Sequence, residues 1–319
     1  MRILLTGGSG FVGAAVANVI AALCPDLILP LRAPNETDIA DFPGSERPKI
    51  ADINGQAKWD GLLNGVDTVL HCAAATVGNA GSHLNRASAL RAVNTDGTLN
   101  LASQAAAAGV KRFVFLSSIK VNGEETKIGR PFNADDIAKP LDDYGISKAE
   151  AEKGLLKISS DTGMEVVIIR PPLVYGPNVK GNFAKLGALV AKGVPLPLAM
   201  VKNQRSFVAI DNLVDLIITC INHPKAANQI FLASDGQDLS TPELLNGMAK
   251  AMGRDIKLFP LPLSLLSLGA AMIGKKDEAN RLLGSLHLDI SKTRDVLGWS
   301  PLINAEEGLR RCFDASAES

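Results

Sequence analysis

In the first half of the chain, short apolar runs alternate with stretches whose apolar residues recur every three to four positions. Residues 2–6 make a first strand candidate, and Val12, Ala15, Val16, Val19, Ile20 and Leu23 then mark one face of a helix. Further strand candidates are 27–31, 66–73, 112–117 and 165–170. Between them Leu90, Val93, Gly97, Leu101 and Ala105 recur with helical period, as do Ala151, Leu155 and Ile158. Strands without apolar–polar alternation, separated by helices, predict an α/β fold, a doubly wound parallel sheet covered on both faces. After Tyr175 the pattern loosens into turns at Gly176-Pro177, Gly181, Gly193, Pro195 and Pro197. A strand at 206–210, a helix capped by Asp211, a strand at 228–233, a capping box at Ser240-Thr-Pro-Glu243 and a last helix around 306–313 follow. The expected organisation is a nucleotide-binding domain of residues 1–176, to which 206–235 return. A smaller interleaved substrate lobe takes 177–205 and 236–319.

Charge narrows the partners. The 33 basic and 33 acidic residues cancel, which favours neither nucleic acid nor an anionic membrane surface as partner. The four cysteines, Cys24, Cys72, Cys220 and Cys312, are far apart and read as reduced thiols. His71, His83, His223 and His287 lack metal-ligand spacing, so no metal is expected. The most apolar segment, 259–273, is interrupted by Pro260, Pro262 and Gly269 and is short of a membrane span, so a buried or interfacial helix is expected there. Without a leader pattern, a cytoplasmic location follows.

Thr6-Gly-Gly-Ser-Gly-Phe-Val-Gly13 stands where the first strand meets the first helix. Gly7 permits the tight turn, Gly10 lets a diphosphate approach the backbone, and Gly13 lets helix pack on strand. The free amides around Ser9, Phe11 and Val12 complete a dinucleotide site. The position that would carry a carboxylate for the NAD ribose holds Arg32 instead. That residue favours the 2′-phosphate of NADP if it faces the ligand, and is an ordinary surface arginine if it does not. Asp52 and Ile53 are candidates for the adenine end.

In Tyr144-Gly-Ile-Ser-Lys148 the tyrosine and lysine share a helix face. An ammonium beside a phenol stabilises the phenolate and brings its pKa down toward the working range. Ser117 and Ser118 close a strand at the carboxyl edge of the sheet, where Ser118 can meet a substrate carbonyl.

These motifs, with His71-Cys-Ala-Ala-Ala75, Asn94-Thr-Asp-Gly-Thr-Leu-Asn100, Arg170-Pro-Pro-Leu-Val-Tyr-Gly-Pro177 and Leu297-Gly-Trp299, resemble the extended short-chain dehydrogenase/reductase family over most of the chain. The resemblance implies Tyr144 as acid/base, Ser118 at the carbonyl and Lys148 on the nicotinamide ribose. It also implies Ala73, Ala74, Ala75, Asn94, Ser117 and Pro171 along the cofactor. Asn182, Phe183, Arg205 and Arg281 fall where the UDP-sugar enzymes hold the nucleotide and its phosphates. A homodimer through the helices carrying Asn94 and Tyr144 is a family expectation.

Ile119-Lys120 replaces the Asp-Glu pair of the dehydratases, which leaves reduction of a 4-keto sugar nucleotide or 4-epimerisation through a transient ketone. Lys120 and Asn122 depart from the usual epimerase pattern. The segment looks like the bacterial branch containing UDP-N-acetylquinovosamine synthase, in surface-polysaccharide synthesis. The expected function is therefore reduction of a UDP-linked 4-keto-6-deoxy-N-acetylhexosamine with NADP(H) or NAD(H), Arg32 favouring NADP(H). The alternatives are a UDP-hexose 4-epimerase with tightly bound NAD and an NADP-dependent reductase of a hydrophobic ketone. A non-catalytic NADP-sensing regulator is the rival from another class; the intact Tyr144/Lys148 pair argues against it.

Overall fold

The computed structural model describes residues 1–24, 26–32, 45–50, 52–76, 85–272, 274 and 276–313, without the side chains of 270 and 276–278. His83, Ile273 and residues 314–319 therefore lie outside the described residues.

The apolar runs become strands β1 (Ile3–Thr6), β2 (Leu27–Ile28), β3 (Thr68–His71), β4 (Arg112–Leu116) and β5 (Glu165–Arg170). With β8 (Gln229–Leu232) they form a six-stranded sheet in the order β2-β1-β3-β4-β5-β8, every neighbouring pair parallel. Successive residues serve opposite layers, as the strand period requires. Ile3, Leu5, Val114, Val167 and Ile169 pack into one core, and Leu4, Phe113, Phe115, Val166 and Ile168 into the other. Burial on both faces explains the unbroken apolar runs. The predicted strand 27–31 is shorter, pairing with β1 only at Leu27 and Ile28, while residues 45–50 run along its other edge through isolated bridges at Ile28–Glu46 and Leu31–Lys49.

Helix α1 (Phe11–Leu23) follows β1, and α4 (Asp143–Thr162) precedes β5. Asp142 caps α4 by accepting the Gly145 amide at 2.7 Å, and Gly163, at φ +78°, ends it in the left-handed conformation. The single helix expected around Leu90–Ala105 divides into α2 (Arg86–Arg91), a π-helical turn Ala92–Gly97 and α3 (Thr98–Ala107). Gly97 lets this helix press against the loop before it. A Cβ there would stand 2.8 Å from Ile53 Cγ2 and 3.1 Å from the Asn54 amide.

The loosely patterned second half contains more helix than its turn residues suggest. Helix α5 (Asn182–Ala191) buries Phe183, Gly187 and Val190. Strands β6 (Leu173–Tyr175), β7 (Arg205–Ala209) and β9 (Asp238–Leu239) form a second sheet, β6-β7 parallel and β7-β9 antiparallel. Helix α6 (Ile210–Asn222) starts at an N-cap, Ala209, without a side-chain cap. Asp211 thus lies inside the first turn rather than at the cap, where its charge still complements the helix dipole. The capping box at Ser240 and Glu243 opens α7 (Thr241–Ala251), with both reciprocal bonds present. Helices α8 (Leu263–Met272), α9 (Lys276–Leu283), α10 (Ser291–Leu297) and α11 (Ala305–Phe313) complete the chain. Tyr175, Phe183, Leu244, Leu245, Met248 and Leu309 anchor this lobe's core. Among the described residues no helix is long and apolar enough to cross a membrane.

In an open parallel sheet a cleft forms at the carboxyl ends of the strands where the strand order reverses. Here that point lies between β1 and β3.

Candidate active site

The turn after β1 is built by its own packing. Gly7 is at φ +78°, and a Cβ on it would stand 2.6 Å from the Ala73 amide nitrogen. A Cβ on Gly13 would overlap the Gly7 carbonyl. Those two glycines bring strand, helix and the loop after β3 together. Gly10 is exposed at the N-cap of α1, and no side chain caps that end or places an acid in its first turn. The amides of a thirteen-residue helix are thus left for an anion, and a dinucleotide diphosphate fits the cradle of Ser9, Gly10, Phe11 and Val12.

Asn94, buried in the π-helical turn, holds the loop after β3. Its Oδ1 accepts from the Ala75 amide at 2.8 Å, and its Nδ2 donates to the Ala75 carbonyl and to Ser147 Oγ, both at 3.0 Å. One side chain therefore ties the Ala73–Ala75 segment to α4. The π-turn breaks the regular helix where Asn94 makes this connection.

His71, the last residue of β3, is a structural tie. Its ring nitrogens meet Thr6 Oγ1 at 2.6 Å and Thr98 Oγ1 at 2.9 Å. Burial and the Lys148 ammonium push it down to about 3, so it is neutral at physiological pH. Burial likewise pushes the Cys72 thiol up to about 12. Among the described residues no group of three or more metal-ligating side chains occurs.

The turn following Ser118 and the start of α4 lie face to face. Lys120 Nζ pairs with Asp142, and a Cβ on Gly145 would stand 2.7 Å from the Lys120 carbonyl. Ser118, extended at φ −159°, caps the short turn Ile119–Val121 by accepting from the Lys120 amide at 3.3 Å. Tyr144 is part-buried two residues into this interface. Lys148, 1% exposed, lies one helical turn on and donates to the Leu116 carbonyl at 2.8 Å. Its ammonium also sits 4.4 Å from the centre of the Phe115 ring. Burial draws it down to about 8, against the pull of Cys72 and Glu152. The Tyr144 phenol behaves differently from expectation. Burial and the neighbouring Asp142 carboxylate push it up to about 12, and Lys148, occupied at Leu116, does not lower it.

Beneath this pair is a buried ion pair that sequence reasoning missed. Glu152 accepts from Arg170 Nη2 at 2.5 Å and Nε at 3.0 Å, and from Ser117 Oγ at 2.5 Å. Ser117 thus points into the protein rather than toward a ligand. Arg170 also donates to Asn122 Oδ1 at 2.9 Å, and Asn122 Nδ2 to the Asn133 carbonyl at 2.9 Å. Glu152 stands four residues beyond Lys148, a spacing that could have flagged it. Pro171, next to Arg170, accepts from the Ile119 amide at 2.9 Å and fixes the strand ends to each other.

After β2, Arg32 and Asp52, the latter expected at the adenine end, face one another at 3.3 Å, both largely exposed. A carboxylate beside the guanidinium offsets the charge on which the NADP expectation rested. Ile53 is buried under Gly97. On the opposite side Arg205 Nη1 donates to the Gly284 carbonyl at 2.9 Å. Burial draws Arg205 down to about 10, with Glu125 opposing and Arg281 reinforcing, so the two arginines lie within electrostatic reach. Asn182 is exposed at the uncapped start of α5. Phe183 differs from expectation: its ring is buried, stacked 5.2 Å from Tyr175 and 6.1 Å from Phe313, leaving only its backbone for a ligand.

Comparison with known proteins decides the family. Residues 3–233 match the NAD dependent epimerase/dehydratase family. The chain belongs to that family. It is also 46% identical over 317 residues to a UDP-glucose 4-epimerase of Vibrio cholerae, covering 98% of this chain and 94% of the other. A UDP-glucuronic acid 4-epimerase from Bacillus cereus in complex with NAD superposes with a TM-score of 0.79 at 18% identity, covering 100% and 99% of the two chains. A UDP-glucose 4-epimerase from Thermotoga maritima, with UDP-glucose, superposes at 0.78 and 21%, covering 100% and 99%. These superpositions show the shared Rossmann-type fold. An enzyme of an NAD-dependent family is thereby established, and neither the comparisons nor the Arg32–Asp52 pair supports a preference for NADP.

Proposed function

We propose that the protein is a UDP-hexose 4-epimerase that retains NAD through the catalytic cycle. The observation that carries the reading is the 46% identity, over nearly the whole of both chains, to a protein named UDP-glucose 4-epimerase. Two features of the site support it. Lys120 and Asn122, on which the reductase expectation rested, face Asp142 and the Arg170–Asn133 network, and so serve the protein's own structure. Asp52 beside Arg32 weakens the other reason to prefer a freely exchanging NADPH.

In this reading the amides at the start of α1 hold the NAD diphosphate, Asp52 lies at the adenine end, and Ala73–Ala75 line the cofactor. NAD held there would supply the hydride acceptor and donor that oxidation and re-reduction at C4 require. Tyr144 takes the proton of the C4 hydroxyl and gives it back after the ketone turns over. Ser118 donates to the same oxygen while it is a carbonyl. Lys148 is the cation available to stabilise the phenolate once its bond to Leu116 is exchanged for the cofactor ribose. Arg205, with Arg281 beside it, and the amides at the start of α5 neutralise the diphosphate of UDP.

Purified protein should interconvert UDP-glucose and UDP-galactose, or their N-acetyl analogues, without added nucleotide, and should release NAD on denaturation. Stoichiometric NADH or NADPH consumption with a UDP-4-keto-6-deoxy-N-acetylhexosamine, without epimerisation, would hand the site to the reductase reading.

A further inference from the structure

Helix α8 has two apolar sides, and the protein covers only one. Leu266 turns inward and packs on the lobe's core. Leu265, Leu268 and Met272, spaced i, i+3, i+7, form a stripe on the other side and are 52%, 59% and 81% exposed. Phe259 and Leu263 extend the patch along the chain. Met200 extends it across the strand-like pairing in which the Leu196 amide donates to the Lys257 carbonyl, the Phe259 amide to the Leu196 carbonyl and the Ala199 amide to the Phe259 carbonyl. A run of large exposed apolar side chains of this kind marks a surface that something covers.

The charges around it say what. In a chain with no net charge, residues 189–202 and 252–272 carry Lys192, Lys202, Arg254 and Lys257 against the single carboxylate Asp255. All four cations are exposed, and Lys202 and Lys257 lie within two residues of Met200 and Phe259. An apolar helical stripe flanked by cations fits the interface of an anionic bilayer, where the side chains enter the acyl boundary and the cations meet lipid phosphates. We infer that α8, with Phe259 and Met200, docks this lobe reversibly on an anionic membrane surface. A ten-residue helix with a three-residue stripe gives weak, salt-sensitive binding rather than permanent anchorage. Arg281 follows nine residues after Met272, so docking would bring the arginine end of the lobe close to the lipid headgroups.

Flotation of the full chain with vesicles of phosphatidylcholine, with and without phosphatidylglycerol, tests this. The protein should float with the mixed vesicles, several-fold less with phosphatidylcholine alone, and less again as salt is raised. L265S/L268S should reduce flotation roughly tenfold while leaving the thermal midpoint and solution activity unchanged, because both side chains face solvent. K202E/K257E should weaken binding to the mixed vesicles only. Absence of flotation with either vesicle, or flotation unaffected by L265S/L268S, would overturn the inference. So would self-association in sedimentation velocity that these two substitutions abolish, since the face would then belong to a second copy of the chain.

Discussion

The two sides of the candidate site are held in contrasting ways. On the Tyr144 side, one helix is fixed at its start by Asp142, at Ser147 by Asn94, at Lys148 by a backbone carbonyl and at Glu152 by a buried guanidinium. On the arginine side, Arg205 is held by one carbonyl, Arg281 is exposed, and the neighbouring α8 leaves Leu263, Leu265, Leu268 and Met272 exposed. Chemistry that must place a proton within a fraction of an ångström sits on the over-determined side. In the proposed function, recognition of the substrate's diphosphate falls to the looser one.

If that division is right, the largest effect comes from the rigid side. Tyr144→Phe should reduce turnover by about 10²- to 10⁴-fold while NAD retention and KM change little, because the substitution removes the proton donor and no packing. Near-normal turnover in a steady-state assay of this variant would remove Tyr144 from the mechanism and erase the contrast. Glu152→Ala probes the support beneath. It leaves the Arg170 guanidinium, 4% exposed at its side chain, without its carboxylate, and should cost about 3–5 kcal/mol in denaturant unfolding. Glu152→Leu with Arg170→Met should recover much of that loss, since no lone charge then remains buried. A Glu152→Ala protein as stable as the parent would show that α4 does not depend on this network.

Lys148 gives a smaller effect with a definite sign. Its folded-state pKa of about 8 lies below the ordinary 10.5. Between those values the unfolded chain binds the extra proton, so this residue makes stability rise with pH. Tyr144, raised from 10 to about 12, holds its proton longer in the folded state and makes stability fall above pH 10. Cofactor-free protein should therefore gain stability from pH 8 to 10, by at most about 1.4 kcal/mol per pH unit from this group. Lys148→Met should flatten the rise. Equal slopes for parent and variant in thermal melts would place the ammonium in solvent.

What was legible in the sequence follows the same division. The parallel sheet, α1 and the Gly7/Gly10/Gly13 turn could be read because burial on both faces leaves continuous apolar runs and a tight turn demands glycine. Tyr144 and Lys148 could be read because helical spacing puts them on one face. The direction of the Tyr144 shift could not, because it depends on where Lys148 Nζ points and on Asp142 acting through space as well as capping α4. The Arg32–Asp52 and Glu152–Arg170 pairs join residues 20 and 18 positions apart, which no local pattern connects. Phe183 was assigned by its place in a motif, whereas its ring follows the core-facing period of α5. Helix α8 is apolar all round, and periodicity alone cannot say which side is covered.

The loose side yields the smallest effect and the sharpest discrimination. Arg205 is half-buried and one of its donors is fixed on the Gly284 carbonyl, so it loses less side-chain freedom in meeting an anion than an unheld arginine does. Removing a partly desolvated, charge-assisted contact of that kind should raise KM for the UDP-sugar about tenfold, with kcat nearly unchanged. Arg281 is exposed and must give up side-chain freedom to reach an anion, so its contribution falls in the range of surface ion pairs, about 0–1 kcal/mol. Arg281→Ala should therefore raise KM by at most about fivefold, and the effect should fade as salt screens it. Steady-state kinetics of Arg205→Ala, Arg281→Ala and the double variant at two ionic strengths test the ranking. Because the two cations repel, losing one relieves the other, so each single effect is partly compensated and the double variant should cost more than the product of the single effects. A larger KM effect at Arg281 than at Arg205 would mean that α9 closes over the substrate and that this side, too, is rigid when occupied.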